Sequence, residues 1–243
     1  MREETEFKPK PMVEVGGKPV LWHIMKVLSS QGIREFVICT GYKAEVIRDY
    51  FQNLRARSLD FTIDYSGNGS VSFHGDFEEK SWKVTVADTG ELTMTGGRLK
   101  AIEKYVNGER FFATYGDGIA NVNIPELLNS HERSGAMVTL TTTTPVSRFG
   151  VVKTSSNGRV ESFLEKPLGS EDVNIGYFVM EPEIFSYLDT NSVLEKEPLT
   201  RLADESKLNA YHHSGFWQPM DTQREAQILN ELWEASAPWK LWE

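Results

Sequence analysis

Apolar residues recur at helical spacing in Val20, Leu21, Ile24, Val27 and Leu28, which predicts a helix with Pro19 at its first position and Gly32 as its stop. Phe36-Val37-Ile38-Cys39-Thr40 follows as a short apolar run, read as a buried strand. Gly41-Tyr42-Lys43 then turns into a second helix with Val46, Ile47, Tyr50 and Phe51 on one face. Phe61, Ile63 and Tyr65 alternate as a strand, residues 66–81 read as a polar excursion, and Trp82 to Ala87 resumes a strand. Gly96-Gly97-Arg98 opens a helix through Leu99, Ile102 and Val106, and Phe111 to Tyr115 forms a strand ending at Gly116-Asp117-Gly118. Further strands are predicted near 136–143, 149–153, 159–164, 174–180 and 207–211, and helices near 124–133, 182–188, 197–204 and 222–234. Strand and helix alternating through short connections predict an α/β fold, a mostly parallel Rossmann-like sheet flanked by helices. No repeat or linker divides the pattern, so 1–243 is taken as one domain with a C-terminal helical elaboration.

Composition narrows the class. A chain of 243 residues with 40% hydrophobic and 25% charged residues is an ordinary soluble type with enough length for a full core. The formal charge of −9 argues against nucleic acid, and no apolar run reaches membrane-span length. The single cysteine, Cys39, reads as a buried thiol and gives neither an intrachain disulfide nor a metal cluster. A cytoplasmic location is the economical reading.

Several short stretches carry chemistry. Lys8-Pro9-Lys10-Pro11-Met12 alternates cations with prolines, and residues before proline favour extended backbone, so both lysines are expected on extended chain facing an anion. Asp117 stands between two glycines at a strand end, where ligands of open α/β sheets bind; a Mg²⁺ ligand and a plain turn carry equal weight there. Asp221, in Gly215-Phe216-Trp217-Gln218-Pro219-Met220-Asp221-Thr222, reads first as a helix N-cap, and beside Asp117 as a second metal carboxylate. Arg98 in the first turn of a helix suits an anion or is an ordinary surface arginine. Glu165-Lys166-Pro167 places a carboxylate and a lysine, expected extended, at a strand end, where the tripeptide alone reads as an exposed charge pair. His23 and His212-His213 lack metal-ligand spacing, and no nucleophile-elbow, zincin or Walker motif occurs. Trp233, Trp239 and Trp242 read as packing for a C-terminal helix or a subunit contact.

In order along the chain, Glu3-Glu4-Thr5, the lysine–proline run, Gly17-Lys18-Pro19-Val20-Leu21-Trp22-His23-Ile24-Met25, Trp82-Lys83-Val84-Thr85, Asp88-Thr89-Gly90, Met94-Thr95-Gly96-Gly97-Arg98, Tyr115-Gly116-Asp117-Gly118 and Phe216-Trp217-Gln218-Pro219-Met220-Asp221-Thr222 resemble the glucose-1-phosphate cytidylyltransferase family of sugar-1-phosphate nucleotidyltransferases. The resemblance implies the nucleotide-diphospho-sugar transferase fold, CTP and glucose 1-phosphate as substrates, and Mg²⁺ as cofactor. It implies Lys10 against the α-phosphate, Asp117 and Asp221 on the metal, and Thr93, Arg98 and Gly116 on the nucleotide side. Gly150, Glu165, Lys166 and Asn174 follow for the sugar phosphate. A relative using UTP or dTTP is the runner-up, and a non-catalytic sugar-phosphate-binding or subunit protein is the alternative of another class. A homo-oligomer is expected, with the 66–81 excursion and the tryptophan-rich end as contacts.

The family begins with a strand and a G-G-x-G-T-R loop that the residues before Lys8 do not supply. The first strand is therefore expected to be missing from the sheet, whose neighbours would lose a hydrogen-bond ladder. A reading frame continuing upstream of Met1 is preferred over a genuinely shortened chain. Without the loop the chain is expected to be a poor catalyst or none.

Overall fold

The computed structural model describes residues 8–67, 69–147 and 149–242; Glu3-Glu4-Thr5 lies outside them. The strands in chain order are β1 (Glu14–Val15), β2 (Lys18–Pro19), β3 (Glu35–Thr40), β4 (Asp60–Asp64), β5 (Ser70–His74), β6 (Lys83–Asp88) and β7 (Phe111–Thr114). They continue as β8 (Gly118–Ala120), β9 (Val138–Thr143), β10 (Val151–Thr154), β11 (Val160–Leu164), β12 (Val173–Met180), β13 (Leu208–His212) and β14 (Trp217–Pro219). Longer helices run over Val20–Ser30, Ala44–Gln52, Ile124–Ser134 and Gln223–Ala235, with shorter ones at Thr95–Ala101 and Glu197–Asp204. The α/β class is as expected, but the described ladders are mixed rather than mostly parallel. β3–β6 and β13–β9 are parallel, whereas β12 runs antiparallel to both β7 and β9. Hairpins account for much of the difference, since short connections can only join antiparallel neighbours. The 66–81 excursion itself contains β5, which folds back on β4.

β12 organises the core. Ile175, Tyr177 and Val179 enter one apolar cluster with the 20–30 helix, Ile119, Leu127, Met220, Leu229 and Trp239, while Phe178 and Met180 enter a second with Val138, Ile184, Phe185 and Leu202. Alternate side chains of a strand point to opposite faces, so a strand buried on both sides must be apolar at consecutive positions, as this one is. By contrast β3 and β7 each have a partner on one edge only, and no described strand takes the other edge. Their inner residues, Val37, Ile38 and Cys39 on β3 and the whole of β7, are accordingly half-buried rather than closed in. Cys39, expected buried, is one of these; its thiol is pushed up to about 11 by desolvation.

The 20–30 helix begins one residue later than expected, with Pro19 as its N-cap. His23 on this helix is fully buried; its Nε2–H donates to the Val15 carbonyl at 2.8 Å and its Nδ1 accepts from Trp239 Nε1–H at 3.3 Å. Trp22, Trp233 and Trp242 pack edge-on or tilted around it, so the tryptophan-rich end closes this core within the chain. Both ring nitrogens are used in the neutral form, and burial holds the imidazole down to about 4. The folded protein thus refuses a proton that the unfolded chain takes up below about 6.5. This contribution is complete above that pH and is lost as pH falls towards 4, by about 3 kcal/mol in all. Urea unfolding of His23→Gln is expected to fall less steeply with acid than that of the parent over this window. Parallel pH profiles would exclude His23 as the source.

Candidate active site

The central carboxylates are brought together by two strands too short to be read from periodicity. β8 and β14 pair antiparallel with Gly118 opposite Pro219, and Met220 N–H donates to the Asp117 carbonyl at 2.8 Å. Asp117 precedes β8 and Asp221 follows β14 by two residues, so this register sets them at the same end of one ribbon. Asp221 is not the helix cap. Thr222 is, in a capping box with Glu225, and Glu225 Oε2 also accepts from the Asp221 backbone N–H at 2.9 Å. The backbone is held while the Asp221 carboxylate stays free to act elsewhere.

What it meets is Lys10, whose Nζ lies 2.8 Å from Asp221 Oδ1 and 3.9 Å from Asp117 Oδ2. The lysine is not on extended chain as expected; it opens a 3-10 turn over Lys10–Met12 after an extended Pro9. That turn carries Pro11 against Gly116, where an added Cβ would come within 2.8 Å of Pro11 Cγ. Gly116 is therefore required for close approach, and the approach is what lets a lysine 107 positions away reach Asp117. The hydrogen bond to Asp221, assisted by the charge of both carboxylates, holds the Lys10 ammonium above its ordinary value. Burial, reinforced by the Asp221 charge and opposed by Lys10, raises the Asp117 carboxyl.

A cavity of about 170 Å³ opens beside this trio, walled by Thr114, Tyr115, Asp117, Asn174, Trp217 and Asp221 among others. Tyr115 reaches it by lying across Gly176, whose φ is +82° and whose added Cβ would fall 2.2 Å from Tyr115 Cδ2. Gly176 sits at an irregularity in the β12–β9 register between Asn174 and Phe178. This local departure from the ladder is where Asn174 joins the cavity wall.

Other expected site residues stand in two further groups. Arg98 donates to the Thr40 carbonyl and Thr89 Oγ1 at 3.1 and 2.7 Å and to the Glu91 carbonyl at 3.1 Å, clamping the carboxyl ends of β3 and β6. It is neither a bare surface arginine nor an open phosphate fork. Thr93 lies in the same corner, its Oγ1 against Gly90 and its methyl against Gly97. Gly150 and Glu165 adjoin each other on the exposed β10–β11 hairpin, an added Gly150 Cβ lying 3.1 Å from Glu165 Oε2. Lys166 has φ +45°, left-handed rather than extended, so the preference of a residue before proline is overridden here. None of Gly150, Glu165 and Lys166 walls the cavity. Tyr115 and Trp217 do, and were legible only as members of motifs.

The two carboxylates suit a divalent cation. Among the described residues no group of three or more acidic, histidine or cysteine side chains forms a metal cage. The Asp221 charge nevertheless raises the cost of ionising Asp117, and the two share one ammonium, an arrangement that a cation bound with substrate phosphates would complete.

The α/β fold thus brings two carboxylates and a lysine together beside one cavity. Residues 5–218 match the family described as nucleotidyl transferase, and the chain belongs to it. Within that family the chain is a member of the glucose-1-phosphate cytidylyltransferases. It is 47% identical over 247 residues to the glucose-1-phosphate cytidylyltransferase of Salmonella typhi, covering 100% of this chain and 95% of that relative. HddC from Yersinia pseudotuberculosis superposes with a TM-score of 0.67 at 20% identity, over 93% of this chain and 90% of the other. An apo UDP-glucose pyrophosphorylase gives 0.67 at 16% identity, over 96% and 93%. At such identities the two structures speak for the fold alone.

Proposed function

We propose that the chain transfers a cytidylyl group from CTP to glucose 1-phosphate, giving CDP-glucose and pyrophosphate. The observation that carries this reading is Lys10 held between Asp117 and Asp221 at the cavity, in a chain of this family. A phosphate oxygen of glucose 1-phosphate attacks the α-phosphorus, the bond from that phosphorus to the bridging oxygen breaks, and pyrophosphate leaves with the electron pair. Lys10 stands where its fixed positive charge meets the α-phosphate as charge shifts. Asp117 and Asp221 would hold Mg²⁺, which when bound neutralises phosphate charge. Thr93, Arg98 and Gly116 belong to the nucleotide side; Arg98 acts there by fixing the β3 and β6 ends rather than as a free fork. Asn174 offers its amide to the sugar phosphate, with Gly150, Glu165 and Lys166 on the hairpin beyond.

The test is product formation with CTP, UTP and dTTP in turn, glucose 1-phosphate and Mg²⁺, resolved by chromatography. CDP-glucose is expected to dominate; a preference for UTP or dTTP overturns the nucleotide assignment. The exposed apolar residues Phe61, Tyr65 and Val71 on the β4–β5 hairpin support a homo-oligomer, to be measured by light scattering. No helix among the described residues is long and apolar enough to cross a membrane, and the reading is of a cytoplasmic enzyme.

A further inference from the structure

Glu195 lies outside every motif, yet it joins the nucleotide-side helix to the cavity wall. Its Oε2 accepts from Thr95 Oγ1–H at 2.7 Å, and its Oε1 accepts from the Tyr115 hydroxyl. Thr95 heads the helix that carries Arg98, and its Oγ1 accepts in turn from Leu194 N–H at 3.0 Å. The same loop is pinned to that helix by Gly97 N–H donating to the Ser192 carbonyl at 3.0 Å. An added Cβ on Gly96 or Gly97 would fall within 2.7 Å of Ser192 or 2.4 Å of Thr190, so the loop is seated closely. Glu195 is thus held on a fixed segment and not on a freely moving arm.

The direction of each hydrogen bond follows from the donor inventory. A carboxylate only accepts, so the Tyr115 hydroxyl proton is committed to Glu195 and its oxygen is left as an acceptor. The neighbouring group on the same cavity wall is the Asn174 side-chain amide. Asn174 Oδ1 is already occupied, accepting from Gly176 N–H at 2.9 Å. Its NH₂ is the group left for the cavity that Asn174 and Tyr115 both wall.

We propose that Glu195 is a positioning residue for the sugar phosphate, holding the Tyr115 side chain on the cavity wall beside Asn174, whose N–H donors meet an oxygen of glucose 1-phosphate. This rests on the reading that Asn174 meets that substrate. Without an acceptor at position 195 the Tyr115 hydroxyl loses the partner that fixes it, and the wall beside Asn174 loosens. Glutamine would preserve the chain, its amide oxygen accepting from Tyr115 while its NH₂ donates to Thr95 Oγ1. Alanine would not.

The experiment is titration calorimetry of the full chain with glucose 1-phosphate and, separately, with CTP and Mg²⁺. Glu195→Ala and Tyr115→Phe are each expected to weaken glucose 1-phosphate binding roughly five- to tenfold, the scale of one hydrogen bond. The double variant should be no weaker than the weaker single, Glu195→Gln should stay within about twofold of the parent, and CTP affinity should be unchanged. Additive losses, a Glu195→Gln as weak as Glu195→Ala, or an equal loss for CTP would each overturn the proposal. Should Glu195→Ala fail to fold, Tyr115→Phe and Glu195→Gln still decide it. Asn174→Ala separates the two levels. If it leaves glucose 1-phosphate binding intact, the underlying assignment falls with the proposal; if it weakens binding while Tyr115→Phe and Glu195→Ala do not, the proposal alone falls.

Discussion

Replacing Asp117 and Asp221 together by asparagine is expected to lower CDP-glucose formation by at least about 10³-fold, more than loss of a single polar contact to the transition state. Both carboxylates stand at one end of the β8–β14 ribbon, with Gly118 opposite Pro219. Asparagine keeps shape and hydrogen-bonding capacity but removes the negative charge that a phosphate-bound cation requires. The fold should be retained. The Lys10–Asp221 pair is half-exposed and contributes at most about 1 kcal/mol, and the mutual repulsion of the two carboxylates disappears with it. Circular dichroism and the melting temperature, measured beside turnover, check both halves of the expectation. Turnover within tenfold of the parent would show that the pair does not hold the essential metal.

Lys10→Ala is expected to reduce kcat by roughly 10²–10³-fold while the Michaelis constants for both substrates change little. The argument is positional. A 3-10 turn packed on Gly116 aims the ammonium between the two carboxylates, at the place where a metal-bound α-phosphate would lie. Its pKa is shifted upward by Asp221 and Asp117, so it remains cationic through neutral pH, and the loss should be the same from about pH 6 to 9. Steady-state kinetics with each substrate varied in turn measures this. A raised Michaelis constant at unchanged kcat would make Lys10 a ground-state binding residue instead.

Most elements were legible in the sequence because their physical cause is local. The helices at Ile124–Ser134, Glu197–Asp204 and Gln223–Ala235 and the strand at Val173–Met180 lie where apolar spacing, caps and glycine stops put them. β5, β8 and β14 were not seen, since strands of three to five residues, each containing or adjoining glycine or proline, carry too little periodicity. Lys10 and Lys166 were expected on extended backbone from the proline that follows each. One instead forms a 3-10 turn and the other is left-handed, because tertiary packing outweighs a local preference.

The sequence by itself determined the family and the α/β class and singled out Lys10, Asp117 and Asp221 as candidates, since chemistry and turn residues are written in contiguous motifs. Only the tertiary structure decided what those residues do to one another. The pairing of β8 with β14 made Asp221 a partner of Asp117, while Thr222 took the helix cap that Asp221 had seemed suited to fill. Packing likewise tied Arg98 to three backbone and hydroxyl oxygens, and placed Glu195 against Tyr115 and Thr95, 80 and 100 residues away along the chain. Contacts of that separation leave no trace in spacing or propensity, because they exist only once the chain has closed on itself.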